Sequence, residues 1–320
     1  MKDIMKPVRI GLIGAGWVAR QHLEVIRAIE GIEAVGITSR TRFKAEALTR
    51  EFGIKGCYDT VRDLVGKASV DALMVLVNPD QMFSVGIEAL SYGIPVFFEK
   101  PAGLTPEENF KLVELAENKK ILTMVGFNRR YYSIYHKGMD IIRQHGALLG
   151  VFVEGHERMW KVKDLGKFSP EILAHWIFAN STHTIDLLRF FGGDAKNIHS
   201  VAHTCFQEAR GDQFAAVMEL SSGAIGQYQA HWYSPGGWRV VLYGEGVTVE
   251  FKPLEEGRWI DRSFVIHDIE PDELDKKYKP GFYAQMSAWR DLVETGTHFW
   301  PMLDLHGAYQ TMRLAEKIST

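Results

Sequence analysis

The stretch VRIGLIGAGWVARQH, residues 8–22, constrains the fold more than any other part of the chain. An apolar run, Val8 to Ile13, passes directly into Gly14-Ala15-Gly16-Trp17-Val18-Ala19 and then into a segment with helical apolar spacing. A buried strand that turns this tightly into a helix opens a β-α-β unit. Gly14 suits the tight turn, Gly16 lets backbone N–H groups approach a phosphate, and Ala19 keeps the helix close to the strand. A glycine-rich turn can also be purely structural. Its place at the start of the first such unit favours a dinucleotide site built from Gly14, Gly16, Trp17 and Val18.

The alternation continues. AVGITS, VDALMVLV, IPVFFEK and ILTMVGF read as buried strands, and FKAEALTREFG and PEENFKLVELAENKK between them carry helical spacing. Residues 1–125 are therefore expected to form a Rossmann-type, doubly wound parallel sheet. After Gly126 the pattern changes to helical segments at SIYHKGMDIIRQHG and EILAHWIFANSTHTIDLLRFFGG, several strand-like runs with turns, and helical segments again at the end. This predicts a second domain, 126–320, of α+β type on a largely antiparallel sheet. A chain of 320 residues with 46% hydrophobic residues can give each domain its own core.

Several function classes are disfavoured. A formal net charge of −3 with interspersed signs lacks the footprint of a nucleic-acid binder. The apolar runs are too short to span a bilayer, and the run Ile10–Ala19 carries three glycines and no cleavage signal, so a mature cytoplasmic protein is expected. Cys57 and Cys205 stand far apart, which excludes a Cys-x-x-Cys site, and twelve histidines include no metal-ligand spacing. No catalytic metal is expected.

Beyond the second strand, where an acidic residue would take a ribose 2′-hydroxyl of NAD, stand Thr38-Ser39-Arg40-Thr41 with Arg42 adjacent. A cation with neighbouring hydroxyls matches a 2′-phosphate, so Ser39, Arg40 and Thr41 favour NADP(H), with NAD(H) as the alternative. Asn78 and Pro79 follow the next strand and are expected to pack on the cofactor. Glu99-Lys100-Pro101 closes the strand after that, at the end where parallel sheets bind ligands. Lys100 there can exchange a proton with a carbonyl or alcohol oxygen; on spacing alone a surface ion pair of Glu99 and Lys100 is equally admissible. In the second half Asn180, His183 and Asp186 fall three residues apart in an apolar segment and, if it is helical, form a polar stripe suited to a cleft. Arg129, Arg130 and Tyr131 stand at the junction, able to meet a hydroxyl-rich substrate or to brace the domains. Trp160, Lys161, His156, Trp232 and Tyr233 lie near strand ends, where aromatics serve core or subunit contacts more often than sugar stacking.

GLIGAGWVARQH, Glu99-Lys100-Pro101, GFNRRY at 126–131 and His183-Thr184-Ile185-Asp186 resemble, in order and spacing, the glucose-fructose oxidoreductase, inositol dehydrogenase and rhizopine-catabolism (Gfo/Idh/MocA) family, over nearly the whole chain. The resemblance implies an NAD(P)-dependent oxidoreductase acting on CH–OH groups of a sugar, cyclitol or sugar nucleotide. It implies an open-faced sheet in the second domain used for homodimers or homotetramers. It also implies that Lys100 and His183 lie beside the reacting carbon; on our reading of the residues Asp186 or Asn180 orients the histidine, and Arg129 and Asn180 meet substrate. Two positions depart from the family's habit. Ala179 stands where an aspartate is frequent, and Phe83 where a histidine is frequent. The departures leave open a catalytically lapsed NADP(H)-binding regulator, and the resemblance itself leaves open an NAD-dependent glycosidase of the same family.

Overall fold

The computed structural model describes residues 6–320, so the first five positions of the expected 1–125 domain lie outside the described residues. Two compact units divide the chain. The first holds residues up to Asn128 together with Lys277–Tyr309; the second holds Arg129–Lys276 and Gln310–Thr320.

The first unit alternates β1 (Val8–Ile13), α1 (Trp17–Ile26), β2 (Ile32–Thr38), α2 (Arg42–Phe52), β3 (Gly56–Tyr58), α3 (Val61–Ala68), β4 (Ala72–Val75), α4 (Pro79–Ser91), β5 (Val96–Phe98), α5 (Pro106–Asn118) and β6 (Thr123–Val125). Its strands pair in parallel in the order β3-β2-β1-β4-β5-β6. Helices on both faces explain why β4 and β5 are continuously apolar and why all of β4, β5 and β6 is buried. The chain winds outward in opposite directions from β1, and that reversal opens a crevice at the carboxyl ends of β1, β2 and β4. Thr105-Pro106-Glu107 sets the start of α5: the Thr105 hydroxyl accepts from Glu108 N at 3.3 Å and Pro106 takes the first helical position.

In the second unit α6 (Ser133–His145) leads to β7 (Leu148–Gly155), short helices α7 (Met159–Asp164) and α8 (Pro170–Ala174), and α9 (Thr182–Gly192). There follow β8 (Ala195–His203), β9 (Gln213–Leu220), β10 (Ile225–His231), β11 (Trp238–Gly244), β12 (Val247–Phe251), β13 (Gly257–Ile260), β14 (Ile266–Ile269) and α10 (Glu273–Lys277). The eight strands run in the order β14-β13-β12-β11-β7-β10-β9-β8, antiparallel except where β7 meets β10. Phe214, Ala216, Met218, Tyr228 and Ala230 point inward, while Ala215, Val217, Gln227 and Gln229 alternate outward and stay exposed. α6 and α9 pack on the inner face, where the rings of Tyr135, Phe191 and Phe251 lie 4.6 to 6.0 Å apart. No described helix is long and apolar enough to cross a membrane.

The spacing of 171–193 predicts one helix, but the structure breaks it into α8, a π-helical turn at Ile177–Ser181, and α9. The π-turn shifts the register between Asn180 and His183, while Asp186, still one turn on from His183 within α9, is engaged by Arg130.

The helix α11 (Phe282–Thr295) and the start of α12 (Leu305–Ile318), up to Tyr309, group with the first unit, whereas the sequence assigns all residues after 125 to the second domain; the rest of α12 stays with the second unit. Trp289 of α11 is fully buried with its ring 5.8 Å from Phe97 of β5, and Phe282 stacks 4.7 Å from His22 of α1. Helical spacing reveals that a stripe must be buried, not which sheet covers it. Trp289→Ala is expected to destabilise the chain by about 3–5 kcal/mol in urea unfolding. Phe264→Ala, at a ring 87% exposed, should change it by no more than about 0.5 kcal/mol.

Candidate functional site

The turn from β1 to α1 is held by its neighbours. Gly14 N donates to Thr38 O at 2.8 Å, and Leu76 N donates to Ile13 O at 2.8 Å, so the ends of β1, β2 and β4 are tied together. Gly14 has φ +115°, and a Cβ there would lie 2.3 Å from Leu76 O. At Gly16 a Cβ would meet nothing within 4 Å, because this residue faces open space. No side chain caps α1, which leaves its first N–H groups available to an anion.

These residues border a cavity of about 460 Å³ lined by Gly14, Ala15, Gly16, Thr38, Ser39, Arg40, Thr41, Lys44, Asp59 and Asn78, among others. The turn, the uncapped helix start and the cations beyond β2 fit a dinucleotide. Of the residues expected to bind it, Trp17, Val18, Pro79, Glu99 and Lys100 do not line this cavity. Ser39 Oγ accepts from Thr41 N at 3.2 Å, which shapes the loop after β2. Arg42, adjacent in sequence, is engaged instead by Glu46 and Asp59, and its guanidinium is held further above its ordinary range by those carboxylates, Glu46 first. The second cation on the cavity wall is Lys44, which spacing does not single out.

Glu99 turns away from the cavity. Its Oε1 lies 2.7 Å from His22 Nε2, deep in the first unit, and its Oε2 accepts from Lys100 N at 3.2 Å. His22 is fully buried, packed against the rings of Phe97 and Phe282. The His22–Glu99 pair is thus an internal strut from α1 to the turn that carries half-buried Lys100.

In the second unit a cavity of about 370 Å³ is lined by His156, Glu157, Arg158, Lys161, Asn180, Trp238 and Glu255, among others. Buried Glu157 accepts from Asn180 Nδ2 at 2.7 Å and from Ser181 Oγ at 2.6 Å. A carboxylate therefore reaches this position from β7's far end although Ala179 supplies none. The guanidinium of Arg129 lies 4.6 Å over the Trp238 ring, and the His183 ring stands 6.1 Å from it. Trp238 thus has two of the expected substrate-side residues, Arg129 and His183, near its ring, and Asn180 lines the same cavity as Trp238. His156 Nδ1 accepts from His231 N at 2.9 Å, and burial pushes its pKa down from the ordinary value. Trp232, by contrast, is core.

Asp186 faces elsewhere. Its carboxylate accepts from Arg130 Nε at 2.6 Å, Arg130 Nη2 at 2.9 Å and Thr311 Oγ1 at 2.8 Å, all buried. Glu157, Trp238 and His22 cannot be singled out from the sequence, because their partners lie tens of residues away along the chain, and Lys44 cannot because only the fold brings it to the cavity wall. The only local signal is the charged run His156-Glu157-Arg158 directly after a strand.

Comparison with known proteins gives two family matches: an oxidoreductase-family, NAD-binding Rossmann-fold model over residues 8–127, and the GFO/IDH/MocA C-terminal domain over residues 153–250. The chain belongs to the Gfo/Idh/MocA family of oxidoreductases. It is 23% identical, over 91% of its own length and 87% of the relative's, to an inositol 2-dehydrogenase of Corynebacterium glutamicum. Among solved structures it superposes on an oxidoreductase from Agrobacterium radiobacter in complex with NAD+, L-tartaric acid and magnesium, with TM-score 0.81, 17% identity and coverage of 97% and 95% of the two chains. It also matches a UDP-N-acetylglucosamine 3-dehydrogenase from Acidithiobacillus ferrooxidans, with TM-score 0.76, 18% identity and coverage of 98% and 97%. For this Gfo/Idh/MocA chain the fold is an NAD(P)-binding Rossmann unit joined to an open-faced, mostly antiparallel sheet.

Asp186→Ala is expected to cost about 3–5 kcal/mol in urea unfolding, since it leaves the buried Arg130 guanidinium without its carboxylate.

Proposed function

We propose that this chain is a dehydrogenase or reductase acting on CH–OH groups, which moves a hydride between NADP(H) and a ring carbon of a cyclitol, sugar or sugar nucleotide. Family membership supports the oxidoreduction, and relatives that are an inositol 2-dehydrogenase and a UDP-N-acetylglucosamine 3-dehydrogenase support a polyhydroxylated ring. The nicotinamide, when bound, accepts or donates the hydride. The protein must add a proton partner for the substrate oxygen, and Lys100 takes that role. The observation that carries this reading is the strut beneath it: Glu99, fixed by buried His22, receives the Lys100 N–H, so the lysine leaves the sheet from a fixed turn. As an ammonium Lys100 gives its proton to a developing alkoxide, and as an amine it takes one from an alcohol.

On the substrate side His183 serves as second proton carrier or hydrogen-bond donor. Arg129 binds substrate oxygens, supported by a buried Nε with no hydrogen-bond partner among the described residues. Asn180, held by Glu157, keeps its carbonyl oxygen for a hydroxyl, and Glu157 replaces the carboxylate that position 179 lacks. Asp186 braces Arg130 rather than transferring protons. Arg40, Ser39 and Thr41 hold the 2′-phosphate with Lys44, while Asp59 on the same wall is offset by Arg42. The first unit thus serves the cofactor and the second the substrate. The exposed Val201, Val217 and Ile225 on the open sheet face support a homodimer or homotetramer, and a cytoplasmic location suits the reduced cysteines.

Lys100→Met should lower kcat on a keto-cyclitol or keto-sugar by about 10²–10⁴-fold and leave NADPH affinity, read by fluorescence titration, within about threefold. Near-normal turnover would remove Lys100 from the mechanism. Arg40→Gln should shift the NADPH-to-NADH preference toward NADH by about tenfold or more in the ratio of Kd values, and an unchanged ratio would refute NADP(H) selection.

A further inference from the structure

We infer that Lys279, reaching across Trp17, is a ligand for the diphosphate of the bound dinucleotide; the inference rests on the cofactor reading above. Lys279 Nζ lies 4.4 Å from the centroid of Trp17 and 4.6 Å from that of Phe282, held between two aromatic faces. Trp17 is the first residue of α1, directly after Gly16, and its indole is 64% exposed. The ammonium therefore stands over the exposed side chain of the residue that opens α1, outside the cavity wall itself, from where its long stem can swing to a diphosphate seated at that helix start.

Charge accounts for the need. A diphosphate carries about two negative charges, and a helix start offers the equivalent of about half a positive one. The cations lining the dinucleotide cavity, Arg40 and Lys44, belong to the segment after β2, at the ribose end. α1 brings neither a capping side chain nor an acidic residue to its first turn. Lys279 supplies the missing charge from the far end of the chain. Its segment is pinned on both sides: Asn128 Nδ2 donates to Pro280 O at 3.0 Å, and Phe282 stacks on His22. The same contacts give a functional reason for the return of Lys277–Tyr309 to the dinucleotide-binding unit.

The test is equilibrium titration of the full chain, as wild type, Lys279→Gln and Lys279→Arg, with NADPH, ADP-ribose and adenosine 2′-monophosphate. Lys279→Gln should weaken NADPH and ADP-ribose about tenfold and flatten the salt dependence of both, while the monophosphate, which lacks a diphosphate, binds as before. Lys279→Arg should restore most of the affinity. Unchanged NADPH and ADP-ribose binding in Lys279→Gln would overturn the inference alone, as would equal weakening of all three ligands. A wild type that binds none of them would overturn the cofactor reading and this inference with it.

Discussion

At Gly14 the backbone of β1 comes so close to β4 that a single added carbon would sit 2.3 Å from the carbonyl oxygen of Leu76. The rest of the site depends on that approach. It allows Gly14 N to reach Thr38 O and Leu76 N to reach Ile13 O, which fixes three strand ends around one crevice. A side chain at this position would spread the strands, and its φ of +115° would strain any residue but glycine. From that fixed point α1 starts without a cap, leaving its amides for a ligand instead of for the protein.

The second constraint is the strut between His22 and Glu99. It joins the helix that leaves the glycine turn to the strand end that carries Lys100, so the glycine turn and Lys100 belong to one layer of the same unit. The strut has a cost, because His22 Nδ1 is buried and has no hydrogen-bond partner among the described residues. A buried unsatisfied nitrogen is worth about 1–3 kcal/mol of lost stability. Its retention beside Lys100 suits a site where positioning outweighs stability.

What the sequence made legible follows from locality. The glycine turn, the buried strands and the Thr-Pro-Glu helix start are written in neighbouring residues, so their form could be read without a fold. β3, β13 and β14 could not, since strands of three or four residues are too short to show a period. The π-turn at Ile177–Ser181 left no mark either, and missing it made Asn180, His183 and Asp186 look like one stripe. Their real partners, Glu157, Trp238 and Arg130, are separated from them by 23, 55 and 56 positions. Arg42 and Lys44 show the same limit at close range. Both are cations beyond β2, and only the fold reveals that Arg42 is tied to Glu46 and Asp59 while Lys44 lines the cavity.

The central claim is net hydride transfer from a nicotinamide to a ring carbon, with Lys100 as proton partner. Its most direct test is mass spectrometry of the product formed from a keto-cyclitol or keto-sugar and NADPH deuterated at the transferable C4 position. The account predicts one deuterium on the newly reduced carbon, formed by the wild type and lost in Lys100→Met. Tight NADPH binding with no deuterium transfer to any member of a broad substrate panel would contradict it.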